Sequence, residues 1–211
     1  MSREAGIDAA LAGRISEAAA VLRRGGVIAY PTETFYGLGA LAADRAAVER
    51  LVRAKERPDG KPLPLLGADL AQLEALAAFS PLALRLAAAF WPGPLTLVLP
   101  ARPGVHPAIL GGGSTVGVRV TSGAVAAALA RAAGGALVAT SANRSGQPPP
   151  TTLDALDPAL RARLDGLLDG GATPGGAPST VVEVGEGRLT LVRPGAVPLE
   201  AVRAEAGPDV K

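Results

Sequence analysis

Three cations lie close together in the sequence and could bind phosphate: Lys55, Arg57 and Lys61. Lys55 ends a predicted helix, and Lys61 follows it in a loop restricted by Pro58 and Pro62. A basic residue at a helix C-terminus stabilises the helix dipole by up to about 1 kcal/mol, which accounts for Lys55. It does not account for Lys61. The cluster therefore predicts a polyphosphate ligand, whose charge must be neutralised before an oxygen attacks phosphorus.

A second group of polar residues follows a short apolar strand, Val27 to Ala29. Its members are Thr32, Glu33, Thr34 and Tyr36, followed by Gly37 and Gly39. A strand that runs into a glycine-rich turn is the simpler interpretation. The concentration of polar side chains favours a loop that contacts a ligand, with glycines that let the backbone bend or approach a neighbour closely. The glycines imitate a dinucleotide fingerprint, but polar residues separate them from the strand.

Three further segments add cations and hydroxyls. In the strand Thr115–Val120, valines alternate with Thr115, Gly117 and Arg119, so we expect a buried valine face and an opposite face that carries the arginine. That second face is either solvent-exposed or part of a site. The segment 140–143 offers Ser141 and Asn143 at a strand end, and Ser179 and Arg193 flank a predicted hairpin. Hydroxyls, amides and free backbone N–H groups at such places bind anions or read bases.

Composition excludes several classes of function. The chain of 211 residues has no cysteine and one histidine, so thiol nucleophiles, zinc–thiolate sites and a multi-histidine metal site are excluded or improbable, and no metal ligands are predicted. The N-terminus carries no apolar signal region, and the most apolar window, 70–91, contains polar residues and a proline. We therefore expect a cytoplasmic protein with no membrane contact. A net charge of +2 is low for a nucleic-acid-binding protein.

The remaining sequence predicts the elements that position these residues. Helices are predicted at 8–24, after the N-cap Asp44, at 68–78, after Ser80-Pro81, from the cap Ser122 to 133, at 151–164 with an interruption at Asp157-Pro158, and at 198–206. Strands are predicted at 27–29, 63–66, 95–99, 115–120, 136–140, 179–184 and 188–193. Strands that directly follow strands exclude a purely parallel sheet. We predict a single α/β domain over residues 1–211, with a twisted mixed β-sheet flanked by helices.

Together these segments resemble a known family. They are Pro31-Thr-Glu-Thr-x-Tyr-Gly-Leu-Gly39, Lys55-x-Arg-Pro with Lys61-Pro-Leu63, Trp91-Pro-Gly-Pro-Leu-Thr96, Val118-Arg119, Thr140-Ser-Ala-Asn-x-Ser-Gly146, Pro178-Ser-Thr-Val-Val182 and Arg193-Pro-Gly195. Their order over about residues 12–202 is similar to that of the YrdC-like family, the threonylcarbamoyl-AMP synthases. The resemblance implies a twisted α/β fold with a basic concave cleft.

The resemblance also implies a reaction and its participants. L-Threonine, bicarbonate and ATP would form threonylcarbamoyl-adenylate with release of pyrophosphate, and a separate transferase complex would pass the threonylcarbamoyl group to tRNA. No covalent enzyme nucleophile is needed, which agrees with the absence of cysteine. Mg²⁺ is expected to be carried on the ATP phosphates.

Roles follow residue by residue from the matching motifs. Lys55, Arg57 and Lys61 would bind the phosphates and act in catalysis. Thr32, Tyr36, Arg119 and Ser179 would hold threonine, with the arginine on its carboxylate. Lys55, Arg57, Thr115, Ser141, Asn143 and Arg193 would bind the nucleotide.

Two departures and one alternative qualify this interpretation. Family members often have proline after the Val-Arg-Val strand, where this chain has Thr121, and longer relatives carry a further C-terminal domain, so the chain resembles the short form. The alternative is an RNA- or tRNA-binding module without catalysis, or a synthase with a weak RNA contact. Against RNA binding, aromatic residues for base stacking are scarce outside one loop.

Overall fold

The computed structural model describes residues 6–56, 60–144 and 146–210. The helices are α1 Ala9–Arg23, α2 Arg45–Lys55, α3 Leu70–Glu74, α4 Pro81–Phe90, α5 Pro107–Leu110, α6 Ala124–Ala133, α7 Pro158–Arg161 and α8 Leu199–Ala206. The strands are β1 Ile28–Pro31, β2 Tyr36–Gly39, β3 Leu65–Gly67, β4 Leu95–Pro100, β5 Thr115–Val120, β6 Leu137–Val138, β7 Thr140–Ser141, β8 Gly166–Leu167, β9 Thr180–Gly185 and β10 Arg188–Arg193. None of the helices in these ranges is long and apolar enough to cross a membrane.

The strands form two sheets, so the prediction of a single mixed sheet was wrong about the number of sheets. A four-stranded sheet has the order β7-β2-β1-β8, and a six-stranded sheet has the order β10-β9-β4-β5-β3-β6. Each sheet combines parallel and antiparallel pairs, which confirms its mixed character. The separation arises at Ala139, because β6 pairs with β3 in one sheet and β7 pairs with β2 in the other. The predicted strand 136–140 is therefore two short strands.

The glycines after the first strand serve a close approach rather than a turn. Residues 36–39 form β2, antiparallel to β1, where the sequence suggested a loop, and Pro31 is the last residue of β1. A Cβ at Gly39 would lie 2.6 Å from the Tyr30 ring, and one at Gly37 would also contact that ring. Tyr30 is fully buried, and burial strongly raises the pKa of its hydroxyl. This aromatic residue therefore belongs to the core.

Several helix predictions were right in position, while others were too long. Asp44 and Ser80 cap α2 and α4 as predicted, each accepting a hydrogen bond from a backbone N–H. In the predicted helix 151–164, the interruption at Asp157-Pro158 is confirmed, because Pro158 begins α7, but the segment before it is not helical and α7 is short. Likewise α3 is five residues long instead of spanning 68–78. Ser122 does not cap α6; its N-cap is Gly123, which has no side-chain cap.

Two apolar clusters form the core. The larger one contains the β5 valines, and Val116 and Val118 are fully buried, which confirms the predicted valine face. The smaller one joins α1 and α6 to β1, through residues such as Leu22, Ile28 and Leu129. Both sheets contribute residues to each cluster, so packed side chains cover both faces of β1 and β3.

Candidate active site

A cavity of about 220 Å³ lies where the two sheets meet. Its lining residues come from both sheets and their connecting loops: Thr32, Thr34, Phe35, Tyr36, Gly37, Pro64, Leu65, Thr96, Arg119, Ala139, Thr140, Ser141, Pro178, Ser179 and Arg193. Gly117 on β5 keeps this space compact, because a Cβ there would lie 3.3 Å from Thr96 and 3.7 Å from Pro64. The cavity therefore depends on the junction of the sheets, not on a single loop.

Arg119 reaches the cavity from the middle of the six-stranded sheet. Its Nη1 donates to Oε1 of Glu33, and the Thr121 hydroxyl donates to Oε2 of the same carboxylate at 2.5 Å. The arginine and glutamate side chains are only 10% and 12% exposed. Burial lowers the pKa of Arg119 to about 10, and the nearby Arg193 acts in the same direction. Arg119 is thus a buried cation, still charged at neutral pH, at the wall of the cavity.

Ser179 and Arg193 form a polar cluster beside this arginine. Nη2 of Arg193 donates to the Ser179 carbonyl at 2.8 Å and to its hydroxyl at 3.0 Å. The Ser179 hydroxyl also lies 3.0 Å from that of Thr96 on β4. Partial desolvation lowers the pKa of Arg193. These contacts bring donors from β4, from the residue before β9 and from β10 to one wall, which suits an anionic ligand.

The turn 32–35 between β1 and β2 forms another wall. The Thr32 hydroxyl donates to the Phe35 carbonyl at 2.7 Å and accepts from the N–H groups of Thr34 and Phe35. The Thr32 N–H also donates to the Phe35 carbonyl, so the turn is closed by its own side chain. Thr32 lines the cavity as a wall residue whose hydroxyl fixes the turn.

Tyr36 lines the cavity with its hydroxyl directed to the loop that follows β8. The hydroxyl donates to the Gly171 carbonyl at 2.6 Å and lies 3.4 Å from the Asp169 carboxylate and from the Gly170 nitrogen. Burial is the largest cause of its raised pKa. The tyrosine therefore ties β2 to the loop 169–171 and presents its other atoms to the cavity.

Lys55 and Asn143 adjoin the cavity through Ser141. The ammonium group of Lys55 donates to the Ser141 carbonyl and lies 3.3 Å from the Ser141 hydroxyl and 3.4 Å from Oδ1 of Asn143. Lys55 is 6% exposed and ends α2, whose next residue, Glu56, has a left-handed φ of 51°. An open groove of about 340 Å³ begins at Asn143 and continues along Gln147 and Pro148. These residues therefore connect the cavity with a second open space.

The structure brings most of the predicted site residues together. Thr32, Tyr36, Arg119, Ser141, Ser179 and Arg193 line the cavity, and Lys55 and Asn143 bond to one of its walls. Thr115 and Lys61 are not among the lining residues; Thr115 lies at the other end of β5 from Arg119. The prediction for Arg57 falls outside the described residues. The roles of all the predicted site residues stay predictions.

Some cavity residues were not predicted as site residues. Thr96 is the one polar residue in the apolar run 95–99. This was a signal that its side chain faces something other than the core. Pro64 and Leu65 carry no such signal, because only the sheet topology brings β3 beside the cavity. Glu33 was noted among the polar residues after the first strand, but its pairing with Arg119 depends on the fold.

A model of the Sua5–YciO–YrdC family, described as "Telomere recombination", matches residues 20–195. The chain is 42% identical over 197 residues to the threonylcarbamoyl-AMP synthase of Bacillus subtilis, covering 92% of this chain and 57% of that protein. It is 46% identical over 159 residues to the threonylcarbamoyl-AMP synthase of Stenotrophomonas maltophilia, covering 74% of this chain and 86% of that protein. The chain thus spans little more than half of the first relative and most of the second.

Solved structures show the same fold. The Pyrococcus abyssi Sua5 structure complexed with L-threonine aligns with a TM-score of 0.86 and 42% identity, covering 93% of this chain and 58% of that one. Escherichia coli YciO aligns with a TM-score of 0.79 and 30% identity, covering 91% of this chain and 94% of that one.

Proposed function

The chain belongs to the Sua5–YciO–YrdC family, and on that premise we propose that it synthesises L-threonylcarbamoyladenylate from L-threonine, bicarbonate and ATP. One observation carries the proposal: the buried cation Arg119 and the residue Ser141 line the same cavity at the sheet junction, and Lys55 is hydrogen-bonded to Ser141. An amino acid and a nucleotide phosphate can therefore be bound side by side. The cavity, with Arg119, Arg193 and Lys55 around it, is proposed to act as a basic cleft.

The amino acid is proposed to bind at the wall formed by Arg119 and Ser179. The guanidinium group would donate paired hydrogen bonds to the threonine carboxylate, because its planar donors match the geometry of the two carboxylate oxygens. Thr32 and Tyr36 would bound the small side chain, Thr32 through a turn that its own hydroxyl holds fixed. Fixing the carboxylate leaves the amine directed towards the rest of the cavity, where the carbamate forms.

The nucleotide is proposed to bind from Ser141 outwards. Lys55, Arg57 and Lys61 would neutralise the phosphates, and Thr115, Asn143 and Arg193 would contact the nucleotide, with the groove beside Asn143 open to its adenosine portion. Mg²⁺ is proposed to arrive with ATP as a counter-ion of its phosphates. Among the residues that the structure describes, no three acidic, histidine or cysteine side chains come together to hold a metal ion.

The proposed reaction has two steps. The threonine amine adds to bicarbonate and loses water, which gives a carbamate. A carbamate oxygen then attacks the α-phosphorus of ATP, a P–O bond forms, and the bond to pyrophosphate breaks. No side chain needs to form a covalent bond, so the protein acts by holding the reactants in contact and by placing cations where charge accumulates. The product is proposed to pass to a separate transferase complex that modifies tRNA.

Pyrophosphate release tests this proposal directly. With MgATP present, we expect release only when L-threonine and bicarbonate are both supplied. Release that needs neither, or no release under any of these conditions, would contradict it. An RNA-binding module without catalysis would bind tRNA and release no pyrophosphate, so binding without turnover would favour that alternative.

A further inference from the structure

Glu33 forms an ion pair with Arg119 but does not itself line the cavity. Its carboxylate accepts from Nη1 of Arg119, yet it is not among the residues that line the cavity, whereas Arg119 is. Both side chains are nearly buried. A buried guanidinium group that loses water needs a partner, since an unpaired buried charge is strongly destabilising. The carboxylate supplies that partner without occupying the cavity.

Two features fix the position of Glu33. Its backbone belongs to the turn 32–35, which the Thr32 hydroxyl closes, and Gly123 packs so closely that a Cβ there would lie 3.0 Å from the Glu33 nitrogen. Its second carboxylate oxygen accepts from Thr121, whose hydroxyl also accepts from the Gly123 N–H at 3.1 Å. Thr121 is 2% exposed.

We propose that Glu33 and Thr121 are positioning residues that hold the Arg119 guanidinium group in the orientation that binds the carboxylate of the amino-acid substrate. This inference rests on the proposed function, in which Arg119 takes that carboxylate. An arginine side chain has five N–H donors, so the bond to Glu33 leaves others for the substrate. The restricted turn makes displacement of Glu33 by substrate unfavourable, so the carboxylate supports binding rather than competing with it.

Kinetics of Glu33→Gln test the inference. The amide keeps the shape of the side chain but loses its charge, and we expect the KM for L-threonine to rise about 10-fold or more, with kcat and the KM for ATP within about 2-fold, as for the loss of one charge-assisted hydrogen bond. Glu183→Gln, a matched change on an exposed carboxylate of β9, should leave all three constants unchanged. An unchanged or lower KM for threonine in Glu33→Gln would overturn the inference and identify Glu33 as a competitor or a bystander.

Variants of Thr121 give a second, milder test. Thr121→Val removes the hydroxyl at nearly constant shape and should raise the KM for threonine about 3-fold, whereas Thr121→Ser should restore the original value. Equal constants for the valine and serine variants would contradict the role of the hydroxyl. These variants test the inference even if Glu33→Gln folds poorly.

A readout without substrate separates this inference from the proposed function. Arginine side-chain NMR of the full chain should show slowly exchanging guanidinium protons for Arg119, assigned by their loss in Arg119→Lys. They should exchange at least about 10-fold faster in Glu33→Gln. Fast exchange already in the unchanged protein would overturn the inference, whatever reaction the protein catalyses. Retained slow exchange without threonine-dependent turnover would instead contradict only the proposed function.

Discussion

The two ends of the cavity hold their cations in different ways. At one end, Arg119 projects from β5, an inner strand of the six-stranded sheet, and bonds to the carboxylate of Glu33. At the other, Lys55 ends a helix and contacts neutral oxygens of Ser141 and Asn143. The arginine is positioned by its strand and by an ion pair with the turn 32–35, while the lysine is positioned by a helix end, by β7 and by the loop after β7.

This difference matches the two ligands that we propose. A carboxylate carries one charge and needs a donor of fixed orientation. A guanidinium group that projects from a rigid strand and is held by a second carboxylate provides such a donor. A triphosphate carries several charges that shift during the reaction, and a lysine ammonium group on a flexible stem can follow them. Changes at the arginine end should therefore act on threonine binding, and changes at the lysine end should act on turnover.

The largest expected effect is that of Lys55→Ala. Loss of a cation that neutralises the transferred phosphate should lower kcat for pyrophosphate release by about 100-fold or more. Arg53→Ala, an exposed cation on the same helix, is the matched control and should keep normal activity. Full activity of Lys55→Ala, with an unchanged circular dichroism spectrum, would remove the phosphate role from Lys55.

The second largest effect is expected for Arg119→Lys. The ammonium group keeps the charge but loses the planar fork, so the KM for threonine should rise about 10- to 100-fold while the KM for ATP stays nearly constant. Steady-state kinetics with each substrate varied in turn measure both constants. A parallel rise in the KM for ATP would show that the two ends are not separate.

A smaller effect at the arginine end is expected for Gly195→Ala. A Cβ there would lie 2.5 Å from the backbone of Ser179 and Thr180, so these residues must shift and Arg193 with them. We expect kcat/KM for threonine to fall about 10-fold and the protein to lose about 1–3 kcal/mol of stability. Gly185→Ala is the control, because the nearest atom to its Cβ is 3.8 Å away. Equal activity and melting temperature for the two variants would contradict this account of Ser179.

The smallest effect is expected at the lysine end, from Glu56→Gln. Hydrogen bonds from Arg163 and Arg144 lower the pKa of Glu56, which follows Lys55 directly. The carboxylate thus stabilises the fold above its ordinary pKa and ceases to do so as the pH falls through the lowered value. Glu56→Gln should change kcat less than about 2-fold. It should also reduce the difference in the free energy of unfolding between pH 7 and acidic pH. A large loss of activity at pH 7 would mean that Glu56 does more than support the helix end.

The sequence allowed the residues at both ends to be predicted better than their surroundings. Arg119 was recognisable because alternation along β5 separates it from the valines, a pattern that depends only on strand geometry. Its pairing with Glu33 was not, because those residues are 86 positions apart and meet only through the sheet topology. The division into two sheets was not predicted for a similar reason. The chain passes from one sheet to the other at the single residue Ala139, and the hydrophobic periodicity of the sequence does not reveal so short a change.

The most direct test of the central claim is the mass of the product formed from MgATP, L-threonine and isotopically labelled bicarbonate. If one cavity serves both substrates, a single product should contain the adenylate, the threonine and the labelled carbon, in amounts equal to the pyrophosphate released. An adenylate of threonine without the labelled carbon, or pyrophosphate released with no threonine-containing product, would contradict the claim.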